Sequence, residues 1–244
     1  MRHAIVLLTV ALLMRWPHAA TAAQDVDDPD RLYEQREDTA KSLAAAAIWE
    51  RRLAAHADDF ESAWKLARAC YWLGGHVATA DRRAQFERGM DAARAAVRID
   101  AKRPDGHFWL AANMGGMAEA AGMRAGLKYR GDIKRELETV LAIEPSFQKG
   151  SADRALGRWY FKVPRLFGGN REKSLEHLRK SLTYEPENAA SLSFLADTLL
   201  AMDKREEARQ TLEKLRAAPI GDPEWAPETR EFQRQAAATL ARLR

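Results

Sequence analysis

The chain has 244 residues, a formal net charge of +4 and one cysteine. With 30% charged and 46% hydrophobic residues, it fits a globular protein rather than a disordered or multi-span membrane protein, and its length can bury a sizeable core. A single cysteine excludes an intrachain disulfide framework and any cysteine-based zinc or iron–sulfur site held within one chain.

The first 22 residues predict a secretory signal peptide. A short positive start precedes an apolar run over residues 4–14, which is shorter than the roughly 20 residues needed to span a bilayer. Small residues at 20–22 favour cleavage after Ala22. An uncleaved anchor is the alternative, and it is disfavoured because Arg15 and Pro17 end the apolar run early. Residues 23–244 are then expected to form one exported domain.

Export changes the meaning of the charge. Removal of the two leader arginines lowers the net charge from +4 to +2, and the remaining Lys and Arg residues form no basic block. We therefore expect no nucleic-acid partner. No cysteine follows the apolar run, so we expect a periplasmic or secreted protein that is not a lipoprotein.

The rest of the sequence predicts helices. Apolar residues recur at three- and four-residue spacing, and no segment alternates apolar and polar residues in the manner of a strand. Asp28 and Pro29 are typical of a helix start. Breaks between helices are predicted at punctuating segments, namely 56–59, 74–75, 103–106, 144–145, 168–169, 185–186 and 219–223.

These breaks belong to a repeat. Segments 96–101, 140–145 and 181–186 align with one another, and each ends a helix with an acidic residue followed by a stop. In the last unit, small Ala196 and Ala208 mark a helix crossing flanked by leucines, a pattern typical of tetratricopeptide (TPR) repeats. The predicted fold is an all-α, TPR-like helical solenoid of about 4–5 helix pairs. A capping helix is expected from Pro227 to Arg244.

Two units are longer than the repeat, and the extra residues are expected between paired helices. One insertion covers residues 122–131 and the other covers 163–170. In the second insertion, Leu166 and Phe167 have two interpretations. They either offer apolar contacts to a partner, or Phe167 fills space between helices while the following glycines shape the turn. The second interpretation is preferred.

Several segments resemble the T component of tripartite ATP-independent periplasmic (TRAP) transporters. They are 108–113, 156–160, the loop 164–169 and 173–178. The resemblance implies an exported TPR-like protein that associates with the substrate-binding subunit of a transporter. The last three units are also similar to the eukaryotic regulators of microtubule dynamics, whose cellular setting the leader disfavours.

Catalytic and metal-binding patterns are absent from the sequence. The six histidines form no metal-spaced pair, and residues 25–30 lack the glycine and distant glutamate of a calcium loop. Cys70 lies among apolar residues of a predicted helix and is expected to be a buried structural thiol. His107 and His177 are expected at the surface or its boundary. We expect no enzyme activity, no metal and no cofactor.

The concave face of the predicted solenoid is the candidate binding surface. With the small residue of each unit as the phase mark, the first helices direct a set of aromatic, basic and polar side chains into the groove: Lys65, Trp72, Trp109, Asn113, Arg154, Arg158, Phe161, Lys162, Ser193 and Asp197. Aromatic platforms beside Arg and Lys suit an extended peptide or an anionic small molecule with an apolar body, and Arg158 is expected to fork onto a carboxylate. Alternatively, the tryptophans belong to the core, or the phase slips by one position.

The functional hypothesis is a non-enzymatic exported scaffold. It binds a partner protein or a carboxylate-bearing ligand, with a periplasmic solute-binding subunit as the candidate partner. A general envelope-assembly adaptor unrelated to transport is the alternative, and an enzyme with unrecognised residues is the third.

Overall fold

A computed structural model describes residues 28–243. The predicted export signal therefore lies outside the described residues. Within them the chain forms eleven α-helices and two short 3₁₀ turns, at Arg165–Phe167 and Pro223–Trp225. The helices are α1 Pro29–Glu34, α2 Thr39–Ala55, α3 Phe60–His76, α4 Arg82–Ile99, α5 Pro104–Ala121, α6 Met123–Ile143, α7 Phe147–Lys162, α8 Arg171–Tyr184, α9 Ala189–Ala201, α10 Arg205–Ala217 and α11 Ala226–Arg242.

Short polar side chains begin many of these helices. Asp28 caps α1 ahead of Pro29, and Asp59 caps α3 by accepting a hydrogen bond from the Ser62 amide. Asn188 caps α9 in the same way. Such caps satisfy amides that have no partner inside the helix, which is why the predicted starts at these punctuated positions are confirmed.

The helices form an all-α solenoid. Four pairs, α3/α4, α5/α6, α7/α8 and α9/α10, follow α1 and α2, and α11 closes the array. The first helices of successive pairs contact one another and form the inner layer. Ala196 and Ala208 are buried at the α9/α10 crossing, as the repeat pattern predicts. The predicted fold class and the capping position of the last helix are confirmed.

Several apolar clusters follow the inner layer. A large aromatic-rich cluster extends from Tyr33 to Tyr160, and leucine clusters hold α8, α9 and α10 together. Ala236 and Leu240 of α11 join the last cluster, beside Leu212 and Leu215 of α10. The C-terminal half of α11 is thus fixed to the end of the solenoid by apolar contact.

Two predictions about helix ends are wrong. Gly74 and Gly75 do not break α3, because Gly74 and Gly116 form notches that receive the Phe86 ring; a Cβ at either glycine would lie within 2.5 Å of that ring. The insertion at 122–131 is likewise not a loop. Only Gly122 (φ 81°) separates the end of α5 from the start of α6 at the next residue.

Candidate functional site

A cavity of about 890 Å³ occupies the concave side of the solenoid. The inner helices α3, α5, α7 and α9 form most of its wall, and the first turns of α11 cover it. Its exposed rim includes Glu119, Met123, Lys162 and Pro164. The predicted groove therefore exists, but it is deeper and more enclosed than an open solenoid surface.

Most of the cavity wall is apolar. Phe86, Ile133, Leu137 and Trp159 are buried and face it, while Gly115 and Ala112 leave room on α5. Tyr71 also lines the wall, and its ring lies 5.8 Å from the ring of Trp109. Such a wall suits the apolar body of a ligand better than a chain of polar groups.

Four polar groups in the wall have no hydrogen-bond partner among residues 28–243. They are Arg154 Nη1, Trp109 Nε1, Ser151 Oγ and Gln148 Oε1, and each atom is buried. Burial lowers the pKa of the Arg154 guanidinium to about 10, which still leaves it charged at neutral pH. Buried polar groups without partners are uncommon in folded proteins, and four of them share the wall of this one cavity.

A left-handed turn places part of this cluster. Gln148, Lys149 and Gly150 have φ values of 43°, 57° and 76°, immediately before the regular turns of α7. Residues other than glycine adopt this conformation only at a cost, and such strain is found preferentially at functional sites. Gly150 is required here, because a Cβ would lie 2.5 Å from the Tyr184 ring.

Arg158 has a different environment from Arg154, although it lies one helical turn away. Its Nη1 atom donates to Asp197 at 2.8 Å, and Glu119 lies 3.9 Å away. Its guanidinium also lies over the Phe194 ring at 4.6 Å. The predicted site residues Arg158 and Asp197 are thus brought together, but they neutralise each other.

The structure places five of the predicted site residues in the cavity wall: Trp72, Trp109, Arg154, Arg158 and Lys162. Both tryptophans are also core residues, with exposed fractions of 7% and 4%. Lys162 is paired with Glu119 at 3.2 Å. A place in the cavity wall is not a test of binding, so the binding role of these five residues stays a prediction.

The remaining predicted residues do not line the cavity. Lys65 is paired with Asp30 at 2.8 Å, and Phe161 lies beside Arg158. Ser193 and Asp197 are on α9 outside the wall. Asn113 is fully buried between helices, where its amide donates to the carbonyls of Ala67 and Trp109. Asn113 therefore packs between helices instead of facing the cavity, because its side chain fills the space that Gly89 leaves open.

A contact between the two ends of the solenoid was not predicted from the sequence. Arg36 is 1% exposed, and its Nε donates to Glu228 of α11 at 3.1 Å, while its Nη2 donates to Glu228 and to the Glu224 carbonyl. Arg68 is paired with Glu224, and Arg230 with Glu37. The first turns of α11 are therefore held to α1–α3 largely by ion pairs.

We call this contact between the two ends of the solenoid the clasp. On the side formed by the first helices, cations and aromatic rings alternate. Their order is Trp64, Arg68, Tyr33, Arg36, Trp72 and His76, with successive neighbours 3.6 to 5.1 Å apart. Such cation–π contacts lower the cost of burying guanidinium groups. No local sequence pattern could predict this contact, because Arg36 and Glu228 are 192 residues apart.

The preferred interpretation of the loop after α7, with Phe167 filling space between helices, is wrong. Leu166 is 87% exposed and Phe167 is 40% exposed, so Phe167 does not fill the space between helices. The expected role of the glycines is confirmed: Gly168 has φ 106°, and a Cβ on Gly169 would lie 1.7 Å from the Val163 carbonyl oxygen.

Other groups singled out in the sequence are structural. Cys70 is buried, and burial raises the pKa of its thiol to about 12. His107 is buried rather than at the surface, because Glu136 and the Ala101 carbonyl both bind its ring. His177 is half-buried beside Asp153. Residues 28–243 contain no cluster of potential metal ligands and no helix long and apolar enough to cross a membrane.

Comparison with known proteins identifies the family. The family model described as "Regulator of microtubule dynamics protein 1-3" matches residues 26–171, which is more than half of the chain. The chain belongs to this family. The predicted similarity to it was placed on the last three units, whereas the match covers the N-terminal and central helices. A tetratricopeptide repeat model matches residues 169–227.

Solved structures support the same fold. The crystal structure of TTC0263, described as a thermophilic TPR protein in Thermus thermophilus, has a TM-score of 0.64 at 20% identity and covers 86% of this chain and 97% of its own. The crystal structure of MamA has a TM-score of 0.51 at 14% identity and covers 83% and 96%. No curated protein shows a significant match. TPR folds commonly act as scaffolds that bind protein partners.

Proposed function

We propose that this protein is an exported, non-enzymatic scaffold that binds a partner protein or a carboxylate-bearing ligand in its concave cavity. The observation that carries the proposal is the enclosed, largely apolar cavity of about 890 Å³ with unpaired polar groups in its wall. A cavity of that size and character is typical of binding sites.

Filling the cavity tests this proposal. Gly115 lines the wall and has open space around its Cβ position, so Gly115→Trp puts a large ring into the cavity. Gly131→Trp is the matched control, because Gly131 is also helical with open space around it but lies outside the wall. Wild type and Gly131→Trp should retain the same proteins and small molecules from an extracytoplasmic extract, and Gly115→Trp should lose them. Equal retention by all three would overturn the proposal.

The finer proposal for the partner is a periplasmic solute-binding subunit of a TRAP-type transporter. It is supported by the sequence resemblance of segments 108–113, 156–160, 164–169 and 173–178 to T components. Co-purification of such a subunit with wild type, and not with Gly115→Trp, is the expected result. Recovery of envelope-assembly factors alone would instead favour the adaptor hypothesis.

Export is tested separately by the mass of the protein recovered outside the cytoplasm. Cleavage after Ala22 predicts a mature chain that begins at Ala23. Recovery of the full-length chain from the cytoplasm alone would contradict this part of the proposal.

A further inference from the structure

Among the described residues, the lysines and arginines of the cavity wall other than Arg154 each have a carboxylate or a backbone carbonyl as partner. Lys149 is paired with Glu185 at 2.7 Å, and Lys162 and Arg158 have Glu119 and Asp197. Arg82 and Arg130 donate to backbone carbonyls. Among these cations, Arg154 alone has neither a hydrogen bond from its buried Nη1 atom nor an ion pair within the described part of the chain.

An unpaired guanidinium is expensive to hold in an apolar wall. Burying a charge without a partner disfavours folding, and the cost is recovered when an ion of opposite charge enters. Arg36 shows how this chain treats a buried arginine that serves the fold, since carboxylate, carbonyl and aromatic partners surround it. Arg154 has no hydrogen-bonded acid: Glu185 attracts it through space, but the Glu185 carboxylate is already bound by Lys149 and Asn188, so a direct partner is expected to come from outside the chain.

Two other orphan groups of the same wall indicate what that partner is. Ser151 lies three residues before Arg154 on α7, and Trp109 lies beside Tyr71, which interacts electrostatically with Arg154. Trp109 Nε1 and Ser151 Oγ are hydrogen-bond donors, and both side chains are almost fully buried, at 4% and 0% exposure. Together with the forked donors of Arg154, they match a carboxylate, which accepts several hydrogen bonds on two oxygens. Gln148 adds an amide that can accept a hydrogen bond from a substituent beside the carboxylate.

The rest of the wall limits the ligand to one charge. Beyond the orphan cluster the lining is aromatic and aliphatic, with Tyr71, Phe86, Ile133 and Trp159. A second carboxylate would meet either these rings or a cation that already has a carboxylate or a backbone carbonyl as partner. The complementary ligand is therefore a single carboxylate on an apolar body.

We propose that Arg154, Trp109 and Ser151 form a buried carboxylate site whose ligand is a monocarboxylate with an apolar body. This inference rests on the proposed function, because it concerns the same cavity. The carboxylate has two sources with the same chemistry: a free organic acid, or the terminal carboxylate of a partner chain that ends in an apolar residue.

Calorimetric titration of the full chain separates these sources. The probes are 4-phenylbutyrate and a hexapeptide ending in phenylalanine, each compared with its neutral amide. Binding of either acid, with at least about tenfold weaker binding of its amide, supports the site and identifies the source. Equal binding of acid and amide, or binding of neither acid, would overturn it.

Variants assign the charge to Arg154. Arg154→Met keeps the length of the side chain and removes the charge, and it should weaken binding of the acid at least about tenfold while leaving binding of the amide unchanged. Arg154→Lys should recover only part of the affinity, because an ammonium cannot fork. Arg88→Met is the control, since Arg88 pairs with Glu50 at 2.7 Å outside the wall. Unchanged affinity in Arg154→Met would overturn the assignment.

The proposed function can survive the failure of this inference. If neither acid binds, yet Gly115→Trp still loses partners that Gly131→Trp retains, the cavity binds something other than a monocarboxylate. If Gly115→Trp loses nothing, the proposed function fails first.

Discussion

Two arginines of the concave side have opposite surroundings: Arg36 in the clasp is fully buried, and Arg154 in the cavity wall is half-buried with its Nη1 atom out of contact with water. Arg36 donates to Glu228, to the Glu224 carbonyl and to the Tyr33 carbonyl, and it lies between two aromatic rings. Arg154 has a buried Nη1 atom without a partner in the described chain. The Arg36 guanidinium has hydrogen-bond partners within its own chain, whereas the Arg154 guanidinium has a buried nitrogen without one.

The difference separates a role in folding from a role in binding. Since a buried charge is stable only with partners, the partners of Arg36 join the two ends of the solenoid and cover the cavity. The bare charge of Arg154 destabilises the empty protein and favours binding of a ligand. If that separation holds, substitutions in the two regions should differ as follows, beginning with the largest effect.

Arg36→Met should cause the largest loss of stability. It leaves Glu228 without its main partner at the clasp, and removal of one member of a buried pair is strongly destabilising; because Glu228 retains some access to water, we expect roughly 2 to 3 kcal/mol. Urea denaturation measures the loss. Arg230→Met removes the exposed pair with Glu37 and should change stability by under about 0.5 kcal/mol. Similar losses of unfolding free energy in the two variants would show that the buried Arg36–Glu228 pair of the clasp stabilises the fold no more than an exposed pair does.

Asp197→Asn should turn the paired arginine of α7 into a second anion site. Arg158 loses its closest carboxylate, and it lies one turn from Arg154 on the same helix. We expect a dicarboxylate with an apolar body, such as phenylsuccinate, to bind about two- to fivefold more tightly, with 4-phenylbutyrate unchanged. Calorimetry checks both ligands. No gain for the dicarboxylate would show that Asp197 does not neutralise Arg158.

The edge of the clasp should give a small pH dependence. Burial is the largest single influence and opposes the charged ring of His76, but the hydrogen bonds to Glu231 and to the Trp72 carbonyl, with the charges of Glu231 and Glu228, together raise the pKa of His76 above its ordinary 6.5. The pKa of Glu231 falls below its ordinary 4.5, first through the hydrogen bond from His76. The raised His76 pKa stabilises fully below pH 6.5 and is lost as pH rises through the folded value. The Glu231 contribution is present above pH 4.5 and is lost on acidification.

The pair therefore contributes most between about pH 4.5 and 6.5. His76→Gln should lower the unfolding free energy most in that window, and above about pH 8 only the smaller, pH-independent loss of its stacking on Trp72 should remain. Urea denaturation across this pH range measures the difference, with His56→Gln at an exposed position as the control. A difference that grows with rising pH would contradict the pairing.

The sequence predicted the parts of this molecule that depend on local pattern. The helix starts at Asp28 and Asp59 and the crossing at Ala196 and Ala208 follow from caps and small residues close together in the chain. The phase of the first helices likewise placed Trp109 and Arg154 in the wall. These features need only neighbouring residues and the geometry of one helix.

Part of the rest depends on curvature accumulated over the whole solenoid. Arg36 and Glu228 meet because the superhelix brings its ends together, and no spacing along the chain records that. Other features depend on the packing of a neighbouring helix rather than on curvature. Gly74 receives the Phe86 ring of α4 instead of breaking α3, and the acid of Arg158 lies on α9. Which of two arginines on α7 stays bare could not be read from their own helix.

The most direct test of the central claim is the unfolding free energy of Arg154→Met in ligand-free protein. If the bare guanidinium is reserved for a ligand, the variant should be as stable as wild type or more stable, by up to about 1 kcal/mol, because an uncompensated buried charge is gone. If Arg154→Met instead loses as much stability as Arg36→Met, Arg154 supports the fold, and the distinction between the two arginines is wrong.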